Sequence, residues 1–479
     1  MHGGGTNYPD VDGRTFSPHL CRRQRAYGDR RAVTVTVGEC DSAAGTSAEV
    51  SNIAFLTVYE YSVRYDYRGG VVNGSGIAAN TSSVESFRDV VHEWLLEHCP
   101  PSMREPIRDE SERVFAGRRG FFPSDDARAW LAAMSARGWT APTWPREYGG
   151  GGLSDQDART LARELRAMGC RPPLISPQGL HMLGPALLKF GSEQQKRRFL
   201  PAIAAGAERW CQGFSEPNAG SDLAAVRCRA ERVGDEYIVI GEKVWTSFAD
   251  ESDWIFAVVR TDPAESGRSG TSVLLIDLAS QGITIRPLPL LSGPSEYSHI
   301  HFGSVRVPAE QRLGEENEGW EIVRFVLAHE RNMLGTDASG TLTSGRRPNL
   351  VAMARGVLRC DSGPLPDAAL RDRITQITFD EICTRAMRQR IGAAPVNPAV
   401  LKYCMSNLNQ RKADLRARIA GNSALGMAGV VFDDADRRLA ADYLESRGWT
   451  IGGGTSEVNL NAIARGVLKL PHRGPEVRR

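Results

Sequence analysis

Two changes of hydrophobic period constrain this chain more than any other feature. Phe87, Val90, Val91, Trp94 and Leu95 recur at helical spacing, with Ser82 and Glu85 at capping-box spacing just ahead of them. Further helical segments are expected at 127–136, at 155–168 with Leu161, Leu165 and Met168 on one face, and at 193–205, joined by Gly/Pro-rich turns. The period then falls to that of strands. Runs rich in β-branched and aromatic residues at 237–240, 254–259, 271–278 and 283–285 are short and bounded by turn residues such as Gly234-Asp235 and Asp262-Pro263. The helical period returns in Ile322, Val323, Val326 and Leu327 and continues over 371–390 and 400–424. This order predicts a mainly α protein with a central β-domain: a helical N-terminal domain over 82–210, a small β-barrel-like middle domain over 211–313, and a helical-bundle C-terminal domain over 314–479.

Residues 1–81 differ in character from the rest of the chain. Gly, Ser, Asn and Arg dominate, and the apolar patches at 32–37 and 53–58 keep no period. A disordered extension, or translation from a start codon placed too early, is the expectation. The first residues carry no hydrophobic h-region, and Asp10, Asp12 and Asp29 stand among the early arginines, so neither secretion nor organelle import is expected. Nine cysteines form no CxxC pair, which suits free thiols in a reducing cytoplasm. With a formal charge of +2 the chain has no global field to steer nucleic acid, and no apolar run approaches membrane-spanning length.

Three stretches point to a ligand. Gly213-Phe214-Ser215-Glu216-Pro217-Asn218-Ala219-Gly220-Ser221-Asp222 and Gly452-Gly453-Gly454-Thr455-Ser456-Glu457 combine glycines with hydroxyls, which lets backbone approach a phosphate closely. Between them, Lys243-Val244-Trp245-Thr246-Ser247 sets an indole beside two more hydroxyls. A dinucleotide with an aromatic ring system is suggested. No GxGxxG or GxxxxGK[ST] occurs, so the usual dinucleotide-binding and P-loop solutions are not in use. Read alone, the first stretch would pass for a turn, the indole for core, and the last for a helix end.

The order and wording of these stretches resemble the acyl-CoA dehydrogenase family from about Ser83 to Pro471. Connecting text such as Trp144-Pro145-Arg146-Glu147-Tyr148-Gly149-Gly150, Phe190-Gly191-Ser192-Glu193-Gln194-Gln195-Lys196, Val305-Arg306-Val307-Pro308 and Gly314-Glu315-Glu316-Asn317-Glu318-Gly319-Trp320 extends the likeness. The resemblance implies FAD between the β-domain and the second helical domain. It carries cofactor binding to Phe214, Ser215, Gly220 and Ser221, to Trp245 as the indole covering the ring, to Ser247 near the reactive N5 edge, and to Gly453, Gly454, Thr455 and Glu457 of the late loop. Thr246 is expected to point elsewhere, by strand alternation.

The implied reaction desaturates an acyl-CoA thioester: a base removes the α-proton while hydride leaves the β-carbon for flavin N5. A carboxylate desolvated in an apolar pocket suits the base, because burial raises its pKa toward working pH. Many members carry that Glu directly before the Gly-Thr of the late loop, where this chain has Gly453. Others carry it on the first helix after the β-domain, where Leu327-Ala328-His329-Glu330-Arg331 stands. Glu330 is therefore the expected base and Arg331 a substrate-side contact; the competing reading makes Glu330 an ordinary surface ion-pair partner. An electron-transfer flavoprotein as acceptor and a homo- or hetero-oligomer are further implied. Gly453 also motivates an alternative, a non-catalytic or partner subunit of a heteromeric dehydrogenase. His299 and His301 share a strand face, and without a third ligand they read as a β-edge pair rather than a metal site.

Overall fold

In the computed structural model, residues 86–471 are described except 108–109, 116, 294–295, 336–348, 361, 391–396, 427–428 and 430. The extension 1–81 and the Ser82/Glu85 capping pair lie outside them. Helix α1 (Phe87–His98) is capped instead by Ser86, whose hydroxyl accepts from the Asp89 N–H at 3.3 Å, and it buries Val91, Trp94 and Leu95. Helices α2 (Asp125–Ala136) and α3 (Asp155–Ala167) are likewise serine-capped. A π-helical turn at Pro177–Leu183 runs into α4 (Gly184–Phe190), and α5 (Glu193–Ala204) opens with a complete Ser192/Gln195 capping box.

Eight strands follow: β1 (Trp210–Gly213), β2 (Arg229–Val233), β3 (Glu236–Ser247), β4 (Trp254–Arg260), β5 (Thr271–Asp277), β6 (Ile283–Pro287), β7 (Tyr297–Pro308) and β8 (Arg312–Leu313). They form one sheet in the order β6-β7-β3-β2-β4-β5-β8, with β1 added parallel to β4. Strands β4 and β5 are buried on both faces. Trp254, Phe256, Val258, Val273 and Leu275 join the core shared with the N-terminal helices, while Ile255, Ala257, Val259, Leu274 and Ile276 face the sheet's own core. Their apolar runs are continuous because each face has its own partner.

Strand β7 is expected from sequence only at His299 and His301, and its full length is missing from the apolar runs. Its inward residues are Ser298, Ile300 and Phe302, then Val305 and Val307, so the phase slips by one. The slip is a bulge: Val239 pairs with Val305 and Ile240 with Gly303, leaving Ser304 unpaired at φ 59°. His299 and His301 do share the outer face of β7, yet β7 lies between β6 and β3 and is no edge strand. The histidines differ in contacts: His299 Nε2 lies 2.7 Å from Glu242 Oε2.

Helix α6 (Gly319–Gly335) leaves the sheet and buries Ile322, Val323 and Val326 in the first core. Helices α7 (Leu350–Leu358), α8 (Ala368–Arg390) and α9 (Pro398–Ala420) pack around Leu350, Ala354, Ile374, Ile377, Leu408 and Leu415. The last pair, α10 (Asp434–Trp449) and α11 (Ser456–Gly466), lies against α9. Among the described residues no helix is long and apolar enough to cross a membrane.

Candidate active site

The first glycine-hydroxyl stretch leaves β1 and turns back on itself through paired main-chain bonds between Glu216 and Ala219, at 2.9 and 3.0 Å. A buried ammonium locks it. Lys243, fully buried on β3, donates to Glu216 Oε1 at 2.7 Å and to the Phe214 carbonyl at 3.1 Å. The same carboxylate accepts from the Arg227 and Cys228 N–H groups at 2.7 and 3.0 Å, so both its oxygens are engaged. Val244 N–H donates to the Ser215 carbonyl at 2.9 Å, joining this stretch to the Trp245 segment.

Strand β3 bulges between Lys243 and Thr246, and Trp245 takes φ 61° there. That turn leaves its indole 57% exposed, edge-on to Tyr297 at 6.0 Å. Thr246 does point elsewhere, but the bulge and not simple alternation is the reason. It is buried opposite Ser298, and neither hydroxyl has a hydrogen-bond partner among the described residues. Ser215 and Ser247 are half-buried, and Gly220 and Ser221 are exposed at the rim. The Phe214 side chain departs from a place against a ligand: it is buried in the core, edge-on to Phe256 at 5.8 Å. Its main-chain oxygen is taken by Lys243, so only its N–H is left for a crevice contact.

Glu330 sits on α6, facing β1. Gln212 Nε2, two residues before Phe214, lies 3.5 Å from Glu330 Oε2. The carboxyl keeps partial surface access while lying deep among protein atoms, and burial pushes its pKa up; the Gln212 contact and the charges of Arg331 and Lys402 oppose that rise. Arg331 turns back on its own helix, Nε donating to the Leu327 carbonyl at 3.2 Å.

The late loop joins α10 to α11. Gly453 and Gly454 hold φ 67° and 93°, a region that disfavours side chains, which accounts for glycine at 453. Lys402 of α9, 3% exposed, donates to the Trp449 and Gly454 carbonyls at 3.0 and 2.9 Å. Asn459 Nδ2 adds bonds to the Gly454 and Thr455 carbonyls at 2.8 and 3.0 Å. The Thr455 hydroxyl caps α11 by accepting from Val458 N–H at 3.2 Å. Glu457, in the first turn, has its carboxyl pKa lowered by its own N–H and by the Thr455 hydroxyl. The loop carbonyls thus turn inward. Among the described residues the N–H groups of Gly453, Gly454 and Thr455 meet no acceptor.

Glu330 therefore stands between two loops far apart in sequence, tied to one side by Gln212 and reached by the charge of Lys402 on the other. Unused N–H groups in consecutive glycines suit a phosphate, and an exposed indole two residues before the half-buried Ser247 hydroxyl suits a polar aromatic ring. Those are the requirements of a flavin dinucleotide. Glu216, Lys243, Gln212 and Lys402 were not singled out from sequence. Lys243 had left a signal, an ionisable residue in the inward phase of an apolar strand. Lys402 had left a fainter one, three residues after Ala399 and four before Ser406 on an inward helix face.

Family models cover nearly all of the described chain: acyl-CoA dehydrogenase N-terminal domain at 81–207, middle domain at 211–305 and C-terminal domain at 317–468. The chain belongs to the acyl-CoA dehydrogenase family. Members are FAD-dependent oxidoreductases. The acyl-CoA dehydrogenase IpdE1 of Mycobacterium tuberculosis is 36% identical over 396 residues, covering 81% of this chain and 98% of that one. FadE26 of the same organism is 40% identical over 405 residues, covering 82% and 98%. Among solved structures, the ChsE4-ChsE5 complex from M. tuberculosis has a TM-score of 0.60 at 26% identity, over 83% of this chain and 100% of that one. The Tcur3481-Tcur3483 steroid acyl-CoA dehydrogenase has a TM-score of 0.61 at 25% identity, over 81% and 97%.

Proposed function

We propose that this acyl-CoA dehydrogenase desaturates an acyl-CoA at its α,β bond, with Glu330 as the base. The observation that carries the assignment is the Glu330 carboxyl itself: desolvated, raised in pKa, and 3.5 Å from Gln212. Desolvation holds the base neutral in acid and leaves it strongly basic once ionised, which α-proton removal from a thioester requires. The Gln212 amide contacts one carboxyl oxygen and leaves the other for the proton. FAD, when bound, would supply the acceptor for the β-hydride. Ser215, Gly220, Ser221 and the Phe214 N–H would hold it on the β-domain side, with Trp245 and Ser247 beside the ring. Gly453, Gly454 and Thr455 would offer N–H groups from the late loop, and Glu457 is a rim contact. Arg331 is a substrate-side cation.

The substrate class we favour is a thioester on a bulky polycyclic acyl group, because a relative of similar architecture is described as a steroid acyl-CoA dehydrogenase. Relatives solved as complexes of two named proteins support a hetero-oligomer. Membership of the family supports an electron-transfer flavoprotein as electron acceptor. A cytoplasmic setting suits the seven free cysteines of the described residues.

The test is an anaerobic panel of straight, branched and polycyclic acyl-CoAs added to the purified flavoprotein, alone and with a co-expressed partner chain, following the flavin band. The wild type should bleach. Glu330→Gln should bleach roughly 10²–10⁴-fold more slowly. Bleaching that survives Glu330→Gln rejects the base; a flavin that bleaches only with the partner chain, and equally so in Glu330→Gln, favours the silent subunit motivated by Gly453. The wild-type rate should climb as pH rises through the elevated Glu330 pKa. Stability should move the other way. A carboxyl that binds its proton more tightly when folded contributes stability present below the unfolded value and lost as pH rises through the folded one. Glu330→Gln should therefore melt above the wild type at neutral pH.

A further inference from the structure

We infer that Lys402 is a positioning residue: it fastens the late glycine loop to α9 and places one positive charge where Glu330 feels it. Nothing at the surface calls for this lysine, which is 3% exposed within a helix otherwise buried through Ala399, Leu401 and Ser406. Among the described residues no carboxylate lies at ion-pair distance from it. Its donors go to two main-chain oxygens, Trp449 at the end of α10 and Gly454 in the loop. A buried ammonium without a close counter-ion is costly, and a methionine would fill similar space without that cost. The burden shows in Lys402 itself, pushed down to about 8 by burial, with Glu330 the ionisable side chain that opposes the shift. Helix α10 and the loop present it main-chain oxygens, and α6 presents Glu330, beside which stands Arg331.

The two contacts have complementary effects. A trans peptide sets its C=O and N–H antiparallel, so holding the Gly454 oxygen against Lys402 and Asn459 turns the Thr455 N–H to the loop's opposite side. That donor is thereby aimed away from α9 before any anion arrives. Helix α6, which carries Glu330, packs against α9, so the ammonium lies on the neighbouring helix, where its charge favours the ionised form of Glu330 and opposes the upward push of burial. One buried cation then sets both the shape of the anion-facing loop and the working pH of the carboxylate. This second role rests on the proposed function; the first does not.

The experiment compares full-length wild type, Lys402→Met and Lys402→Gln. The first readout is amide hydrogen exchange across 449–456, which needs no turnover. Exchange should be about tenfold or more faster in Lys402→Met, as two bonds from a charged donor are lost. Lys402→Gln keeps neutral N–H donors on a side chain one atom shorter and should recover part of the protection. The second readout is the pH dependence of acyl-CoA-induced flavin bleaching, whose rising limb should move to higher pH in both variants because both lack the charge. Wild-type exchange in a folded Lys402→Met protein overturns the fastening, and an unmoved limb in both variants overturns the charge effect. Should circular dichroism show Lys402→Met unfolded, Lys402→Gln decides both points by the same criteria. If wild type bleaches with no acyl-CoA at all, the reaction reading fails while the exchange comparison still judges Lys402.

Discussion

Two loops adjoin the elements that reach Glu330, the one after Gln212 and the one fastened to Lys402; each is held by a buried lysine, but the lysines live under opposite terms. Lys243 meets the Glu216 carboxylate at 2.7 Å, and that carboxylate also collects two main-chain N–H groups. Lys402 meets only carbonyl oxygens and is driven down to about 8. The middle-domain loop is thus an electrostatically closed unit built into the sheet. The late loop is held by an ammonium close to its own titration. Backbone conformation divides the same way: the positive φ near the first loop falls on Trp245 and Phe248, whereas in the late loop it falls on Gly453 and Gly454. Strain is tolerated where the surroundings over-determine the chain, and is avoided where they do not.

The sharpest way to break this comparison is to remove both lysines in turn. Lys243→Met leaves Glu216 as a buried charge with no cation, which should cost about 3–5 kcal/mol. Adding Glu216→Leu should not restore stability, because the Arg227 and Cys228 N–H groups then lose their acceptor. Lys402→Met leaves no stranded charge, only two carbonyls, and should cost less than half as much in urea denaturation at pH 7. Equal losses would show that Lys243 and Lys402 are not different kinds of fastening. The pH course should separate them as well. Between about pH 8 and 10.5 the unfolded chain keeps the Lys402 proton while the native protein has released it, so wild-type stability gains over Lys402→Met as pH rises through that window.

How legible each side was depends on the same contrast. The first loop and the Trp245 segment could be read from local wording, since loop, glutamate and strand lie within 35 residues and answer one another. Strands β4 and β5 were visible because two cores give unbroken apolar runs, and α2, α3 and α5 because single apolar faces do. Strand β7 was legible only around His299 and His301, because the Ser304 bulge shifts Val305 and Val307 out of phase with Ile300 and Phe302. Lys402 was hidden for a different reason. Its partners are main-chain oxygens 47 and 52 residues away, and an oxygen present in every residue leaves no mark in a sequence. Glu330 was reached through resemblance; its burial and its Gln212 neighbour needed the fold.

A smaller effect belongs to the exit of the late loop. Thr455→Ala removes the hydroxyl that caps α11 and that also touches Glu457, and should cost about 1 kcal/mol. Fraying should be confined to α11 by amide exchange, with the Lys402 bonds intact. If protection across 449–454 falls as well, loop and helix form one cooperative piece, and the lysine is not its principal fastening.

The smallest effect tests strain on the locked side. Trp245 is 57% exposed, so Trp245→Ala should change stability by no more than about 0.5 kcal/mol through lost contacts. Alanine inherits φ 61°, however, and glycine does so without a clash at Cβ. Trp245→Gly should therefore be as stable as Trp245→Ala or more so, by about 0.5–1 kcal/mol, against the usual order in a strand. The reverse order would mean that the bulge relaxes once the indole is gone, and that the middle-domain loop stores less strain than its ion pair permits. Flavin affinity offers an independent check, because both variants lose the indole equally: each should release FAD faster than wild type, whichever of the two melts higher.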